Sequence, residues 1–204
     1  MSGSHPPLRP VEESALHLVV DMQRVFAEET AWRVPTLLDI VPAIRRIAEA
    51  HPDRTLFTRF VTPSSAAEAR GAWRRYYERW PSVTLDAMPA AMLDIVAPLS
   101  SLATPDRIYD KTTFSAFDSG DFCDAVARRK AETLILSGAE TDVCVLATAL
   151  SAIDRGLRVI VVADAVTSAS LEAHAATLEV LLPRHDAQVE VTSTDRLLAA
   201  WPAA

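Results

Sequence analysis

Cysteine is scarce in this chain: two in 204 residues, Cys123 and Cys144, with no CxxC pair. That excludes a disulfide framework and a paired-cysteine zinc site, and leaves free thiols that suit a reducing, cytoplasmic setting. Basic residues are outnumbered, 20 Lys and Arg against 27 Asp and Glu, for a net charge of −7. An acidic balance argues against nucleic acid or an anionic membrane surface as a partner. No apolar run approaches the ~18 residues of a membrane-spanning helix. Glycine is also sparse, five in all, so each one marks a place where the backbone has a special requirement. The first fourteen residues, MSGSHPPLRPVEES, lack the apolar centre of a leader segment and are expected to form a flexible arm. The remainder, 15–204, has the length of a single globular domain, and the chain as a whole is 50% hydrophobic, as such domains are.

What is present is a regular alternation. Ala15–Val20, Arg54–Val61, Arg107–Asp110, Thr133–Leu136, Leu157–Ala163 and Gln188–Val191 read as short buried strands. Helical patterns separate them over Pro35–Ala50, where Pro42 is a possible split, and over Asp121–Lys130, Cys144–Arg155, Ser170–Leu182 and Thr194–Trp201. Strand and helix alternating at this spacing predict an α/β fold, a parallel sheet with helices on both faces.

The chain is organised around Glu132–Thr148, ETLILSGAETDVCVLAT. An apolar strand breaks at Gly138, and a helix follows with Cys144 in its first turn. Such a turn presents a nucleophile at the sheet's carboxyl edge, and the helix N-terminus favours a thiolate. Backbone N–H groups around Val143 and Cys144 would receive an oxyanion. A small buried thiol facing the sheet is the alternative. Asp21 follows the first strand, as a general base or as a turn cap. Lys111 follows the third, where a buried ammonium would favour the thiolate and a surface charge would do nothing. Together, a base, a cation and a thiol at one edge are the parts of an acyl-transfer site.

Two further features stand out. In Ser64–Trp80, which holds GAWRRYYERWP, Trp73, Tyr76 or Tyr77 and Trp80 share one helical face among four arginines. That face covers either a ligand, the core or a second subunit. Arg59, near the end of the second strand, is either a bidentate carboxylate binder or half of a salt bridge.

The motifs ALHLVVDMQRVF, YDKTTFSAF and LILSGAETDVCVLATAL, with RVIVVADAVTSAS and His174 beyond them, resemble the isochorismatase-like cysteine hydrolases over about Ala15 to Val191. That family includes N-carbamoylsarcosine amidases and nicotinamidases. The resemblance implies a three-layer sandwich with a six-stranded, mostly parallel, Rossmann-like sheet in the order 3-2-1-4-5-6. It also implies an Asp21–Lys111–Cys144 triad, a cis peptide at Ala139–Glu140, and a homo-oligomer, dimer or tetramer. Nicotinamidase-type relatives bind a metal through an aspartate and histidines after the second strand. This chain reads LFTRFVTP there, so no metal and no cofactor are expected. The expected activity is hydrolysis of a C–N bond in a small amide, ureide or N-carbamoyl compound through a thioester. Phe26, Arg59, Trp73, Tyr77 and Phe117 are the candidate substrate contacts. A vinyl-ether hydrolase and a silent binding protein are the other readings.

Overall fold

Leu16–Val20 (β1) is apolar but for His17, and all five of its residues are buried. Thr133–Ala139 (β4) is likewise buried at every position. A strand with no exposed side chain must be covered on both faces, which only a central strand of a helix-clad parallel sheet achieves. In the computed structural model, which describes residues 8–202, these two strands lie side by side at the middle of the sheet. Flanking them are Thr55–Phe60 (β2), Ile108–Lys111 (β3), Arg158–Thr167 (β5) and Val189–Thr192 (β6). The order is β3-β2-β1-β4-β5-β6 and every pairing is parallel. The chain direction across the sheet reverses between β1 and β4, and the crevice beyond their carboxyl ends is where such sheets bind ligands.

The helices are Arg24–Ala27 (α1), Val41–Ala50 (α2), Ala72–Arg79 (α3), Ala97–Ser100 (α4), Gly120–Arg128 (α5), Leu146–Ile153 (α6), Leu171–Ala176 (α7) and Thr194–Ala200 (α8). In α2, Val41, Ile44, Ile47 and Ala48 recur at helical spacing and are buried. Pro42 lies in its first turn, so the predicted helix does split there, with a 3-10 segment over Leu37–Ile40 before it.

Three expectations change. β4 does not stop before Gly138 but runs to Ala139, and β5 continues past Asp164 to Thr167. A register shift between Leu136 and Gly138 accommodates the extra length. Of the expected flexible arm, residues 1–7 lie outside the described residues, and the rest is docked. Val11 is buried and its N–H donates to the Ala200 carbonyl at 3.1 Å, while Arg9 pairs with Glu190.

Candidate active site

Asp21 is the first residue past β1. It is wholly buried and its φ is +48°, a left-handed conformation that aspartate tolerates better than most residues. Its backbone N–H donates to Thr58 Oγ1 at 3.2 Å, and that hydroxyl donates to Asp21 Oδ1 at 2.7 Å. Two residues on, buried Gln23 acts as a clamp. Its Oε1 accepts the Phe60 N–H at 2.7 Å, and its Nε2 donates to the carbonyls of Phe60 and Leu93 at 3.2 and 2.9 Å. The exits of β1 and β2 are thus tied together and the Asp21 carboxyl is aimed.

Lys111 arrives from two strands away. Strand spacing is about 4.8 Å, so ~10 Å of sheet must be crossed, and the lysine stem does so over the Phe60 ring, with Nζ 4.7 Å from its centroid. Nζ then lies 2.7 Å from Asp21 Oδ2, 3.5 Å from Cys144 Sγ and 3.0 Å from the Thr113 carbonyl, to which it donates. The ammonium and Oδ2 form a fully buried ion pair.

Cys144 sits in a π-helical turn, Thr141–Val145, between β4 and α6, with 6% of its surface exposed. Such turns are frequent at functional sites. The peptide Ala139–Glu140 is cis. The N–H groups of Val143 and Val145 both donate to the Glu140 carbonyl, at 3.1 and 3.0 Å. That engagement removes Val143 from the expected pair of oxyanion donors. The Glu140 carboxylate accepts from Ser168 Oγ at 3.1 Å and from the Ala169 N–H at 2.8 Å, which pins the turn to the end of β5.

The electrostatics differ from expectation in one respect. Burial pushes the Cys144 thiol well up from its ordinary value, the Asp21 charge pushes the same way, and Lys111 opposes both without overcoming them. Burial also works to lower the Lys111 pKa, but the charges of Asp21 and Cys144 outweigh it and raise the ammonium's pKa. Burial and the Asp21 charge thus favour the neutral thiol, against the thiolate that a helix N-terminus alone would favour.

Of the other expected contacts, Phe26, Trp73 and Tyr77 do gather at this edge. Phe26 stacks on Trp32 with centroids 5.9 Å apart, Tyr77 lies 6.2 Å from both Trp32 and Trp73, and Trp73 lies 4.8 Å from Phe114. The aromatic face of α3 is turned inward, joined through Trp73 to Phe60 beneath Lys111 (6.1 Å). Burial raises the Tyr76 phenol to about 12, with smaller contributions from Cys144 and Glu140. Phe117 packs edge-to-face on Phe122 at 5.1 Å, with Arg155 over its ring at 4.7 Å. Arg59 is corrected outright. Its guanidinium makes a bidentate pair with Asp110 at 2.7 and 2.9 Å, because the β2–β3 register sets the two residues directly opposite. Thr58 and Gln23 were not among the expected site residues. Gln23 had a visible signal, two places after Asp21 in DMQRVF, whereas Thr58 had none beyond alternation in RTLFTRF. Among the described residues, no three His, Cys, Asp or Glu side chains group as metal ligands would.

Against known proteins, the family model described as the isochorismatase domain matches residues 15–196. An uncharacterized isochorismatase family protein of Bacillus subtilis is 41% identical over 66 residues, 32% of this chain and 36% of its own length. The aligned stretch thus spans about a third of that curated relative. A cysteine hydrolase from Pseudomonas syringae superposes with a TM-score of 0.80 at 22% identity, covering 98% of both chains. The N-carbamoylsarcosine amidase of Thermoplasma acidophilum superposes with a TM-score of 0.67 at 18% identity, covering 89% of this chain and 96% of its own. At these identities the two structures show the shared fold.

Proposed function

Because the chain belongs to the isochorismatase domain family, we propose that it is a metal-independent cysteine amidohydrolase of a small amide, ureide or N-carbamoyl compound. One observation carries the reading: Lys111 Nζ stands 2.7 Å from Asp21 and 3.5 Å from Cys144, all three buried. Likeness in fold to a protein named as an amidase supports the bond type.

The thiol is neutral at rest, so its proton leaves as attack begins. The Asp21 carboxylate takes the proton from Sγ while sulfur forms a bond to the carbonyl carbon. Lys111 stays protonated and offsets the negative charge that passes from carboxylate to sulfur to oxyanion. The Cys144 N–H is the proposed oxyanion donor. Collapse breaks the C–N bond, and the amine or ammonia departs with the proton that Asp21 had held. Asp21 then deprotonates water, the hydroxide cleaves the thioester, and the acid product leaves as sulfur is reprotonated.

Ammonia release from a panel of small amides, ureides and N-carbamoyl acids tests this, with wild type and Cys144→Ala, with and without chelator. The expected result is release by wild type alone, unchanged by chelator. Release that survives Cys144→Ala removes the nucleophile assignment. Loss on chelation makes the enzyme metal-dependent, and silence across the panel favours vinyl-ether cleavage.

A further inference from the structure

Three consecutive side chains around the start of the Cys144 turn reach across to one short segment, residues 168–174. Glu140 accepts the Ala169 N–H, Asp142 meets Ser168 Oγ, and between them Thr141 Oγ1 lies 2.8 Å from His174 Nδ1. Thr141 is wholly buried, and its hydroxyl has no partner but His174 among the described residues. The bond leads straight into the backbone of the π-helical turn. The Thr141 carbonyl accepts the Leu146 N–H, five residues on, and the Glu140 carbonyl accepts that of Val145. Cys144 lies inside both of these wide rings. Such spacing is rare, and it competes here with the α-helical spacing of α6 directly after it. Tightening to the α spacing would turn Cys144 about the helix axis and change the 3.5 Å approach of Sγ to Lys111 Nζ. Core packing does not explain the place of His174, because none of the residues of α7 is buried. Among the described residues, its side chain is the one on α7 bonded to the turn.

We infer that His174 is a positioning residue for the nucleophile: through Thr141 it holds the turn in the spacing that sets Cys144 Sγ beside Lys111. The consequence for catalysis rests on the hydrolase reading, whereas the consequence for the placement of Cys144 does not. Among the described residues no bond joins His174 to Asp21, Lys111 or Cys144, so its effect passes through Thr141. A misplacement of about 1 Å at a reacting atom can cost ~10²-fold in rate. The bonds of Glu140 and Asp142 survive a change at His174, so the expected loss is smaller, at least about tenfold.

The test uses the full chain with its cysteines isotope-labelled at Cβ and followed by NMR. Cys144→Ala assigns the two resonances, one for the nucleophile and one, from Cys123, as an internal control. Attack by the thiol is read separately, as p-nitrophenolate released from p-nitrophenyl acetate. His174→Ala is expected to move the Cys144 resonance and leave that of Cys123 in place. It should also lower kcat for the ester at least about tenfold with KM little changed. His174→Asn, whose amide stands where Nδ1 does and can both donate and accept, should restore resonance and rate. His174→Gln, one carbon longer, should not. Thr141→Val should match His174→Ala, and the double variant should be no worse than either, since the two residues share one bond. Urea midpoints should barely change, because α7 buries nothing. If His174→Ala does not fold, the Asn and Gln variants, which differ only in reach, decide the question. A Cys144 resonance unmoved in His174→Ala, or not restored by His174→Asn, would overturn the inference. A rate loss with the resonance in place would overturn it too, and would make His174 a direct participant in the chemistry. Wild type inert toward the ester and the amide panel would sink the hydrolase reading, and the Cys144 resonance would still decide the role of His174.

Discussion

At the scale of single residues, the buried Asp21–Lys111 pair does two jobs that separate under mutation. Desolvating two charges is costly, and their mutual attraction offsets that cost only while both are present. Lys111→Met is therefore expected to cost about 3–5 kcal/mol, since it leaves a buried carboxylate uncompensated. The double change Asp21→Asn with Lys111→Met should recover most of it, as urea unfolding midpoints would reveal. The thiol gives the second separation. Asp21 helps to push the Cys144 pKa up, so Asp21→Asn should lower it and speed alkylation of Cys144 by iodoacetamide at pH 7, measured in a Cys123→Ser background. The same change should reduce turnover by more than ~10²-fold, because the base is gone. Slower alkylation in Asp21→Asn would mean that the carboxylate activates the resting thiol instead of holding it neutral. Asp21, Lys111 and Cys144 were legible in the sequence because each stands at or beyond the end of a strand, and strand ends fall on one edge of a parallel sheet. Arg59 misled because its partner, Asp110, lies 51 residues away, and only the β2–β3 register makes them neighbours. Thr58 was silent for the same reason, as its role consists of bonds from β2 to Asp21 past the end of β1, and Gln23 showed only its place near Asp21 and not the partners it clamps.

At the scale of elements, Gly138 shows why one strand end was misread. Glycine usually punctuates, so β4 was expected to break there. Instead the strand passes through, with φ +103°, against the backbone of β1, and a Cβ at this position would lie 2.1 Å from the Val20 carbonyl oxygen. No one-dimensional pattern distinguishes a glycine that ends a strand from one that lets two strands meet. The distinction is measurable. Gly156 also has positive φ, +80°, but nothing lies within 4 Å of its would-be Cβ. Gly156→Ala should thus cost only the left-handed backbone penalty, about 1–2 kcal/mol. Gly138→Ala carries the same penalty plus displacement of β1 next to Asp21, and is expected to lose soluble folded protein or, if folded, activity. Equal thermal midpoints for the two variants would refute the close-approach argument. The alternation of strands and helices was legible most clearly at β1, β4 and β5, because burial on both faces of a parallel sheet leaves a long apolar run. Turn geometry was not, since the π-helical turn that holds Cys144 and the extension of β5 depend on contacts between β4, β5 and Glu140.

At the scale of the whole molecule, the sheet carries at its middle a polar network that the proposed chemistry does not use. His17 on β1 is fully buried, with Nε2 2.7 Å from Ser137 Oγ on β4 and Nδ1 3.3 Å from Thr55 Oγ1 on β2. Thr55 Oγ1 donates onward to the His51 carbonyl at 2.9 Å, and the His51 ring stacks on Trp201 at 3.5 Å. The network thus joins three central strands to Trp201, just past the end of α8. Burial lowers the His17 pKa to about 3, with a smaller push from His51. The folded chain therefore binds this proton less readily than the unfolded chain, in which histidine titrates near 6.5. Stability contributed here is fully present above pH 6.5 and is lost as pH falls from there toward 3, by on the order of 4 kcal/mol across the window. Carboxylates also titrate in that range, so the comparison that isolates His17 is with His17→Gln, which keeps an amide donor and acceptor but cannot charge. The variant is expected to be less stable than wild type at pH 7, where the fitted ring network is intact, and to close that gap by pH 4. Urea midpoints at the two values would decide it. A gap that stays constant between them would mean that His17 is protonated in the fold, and that the centre of the sheet tolerates a charge.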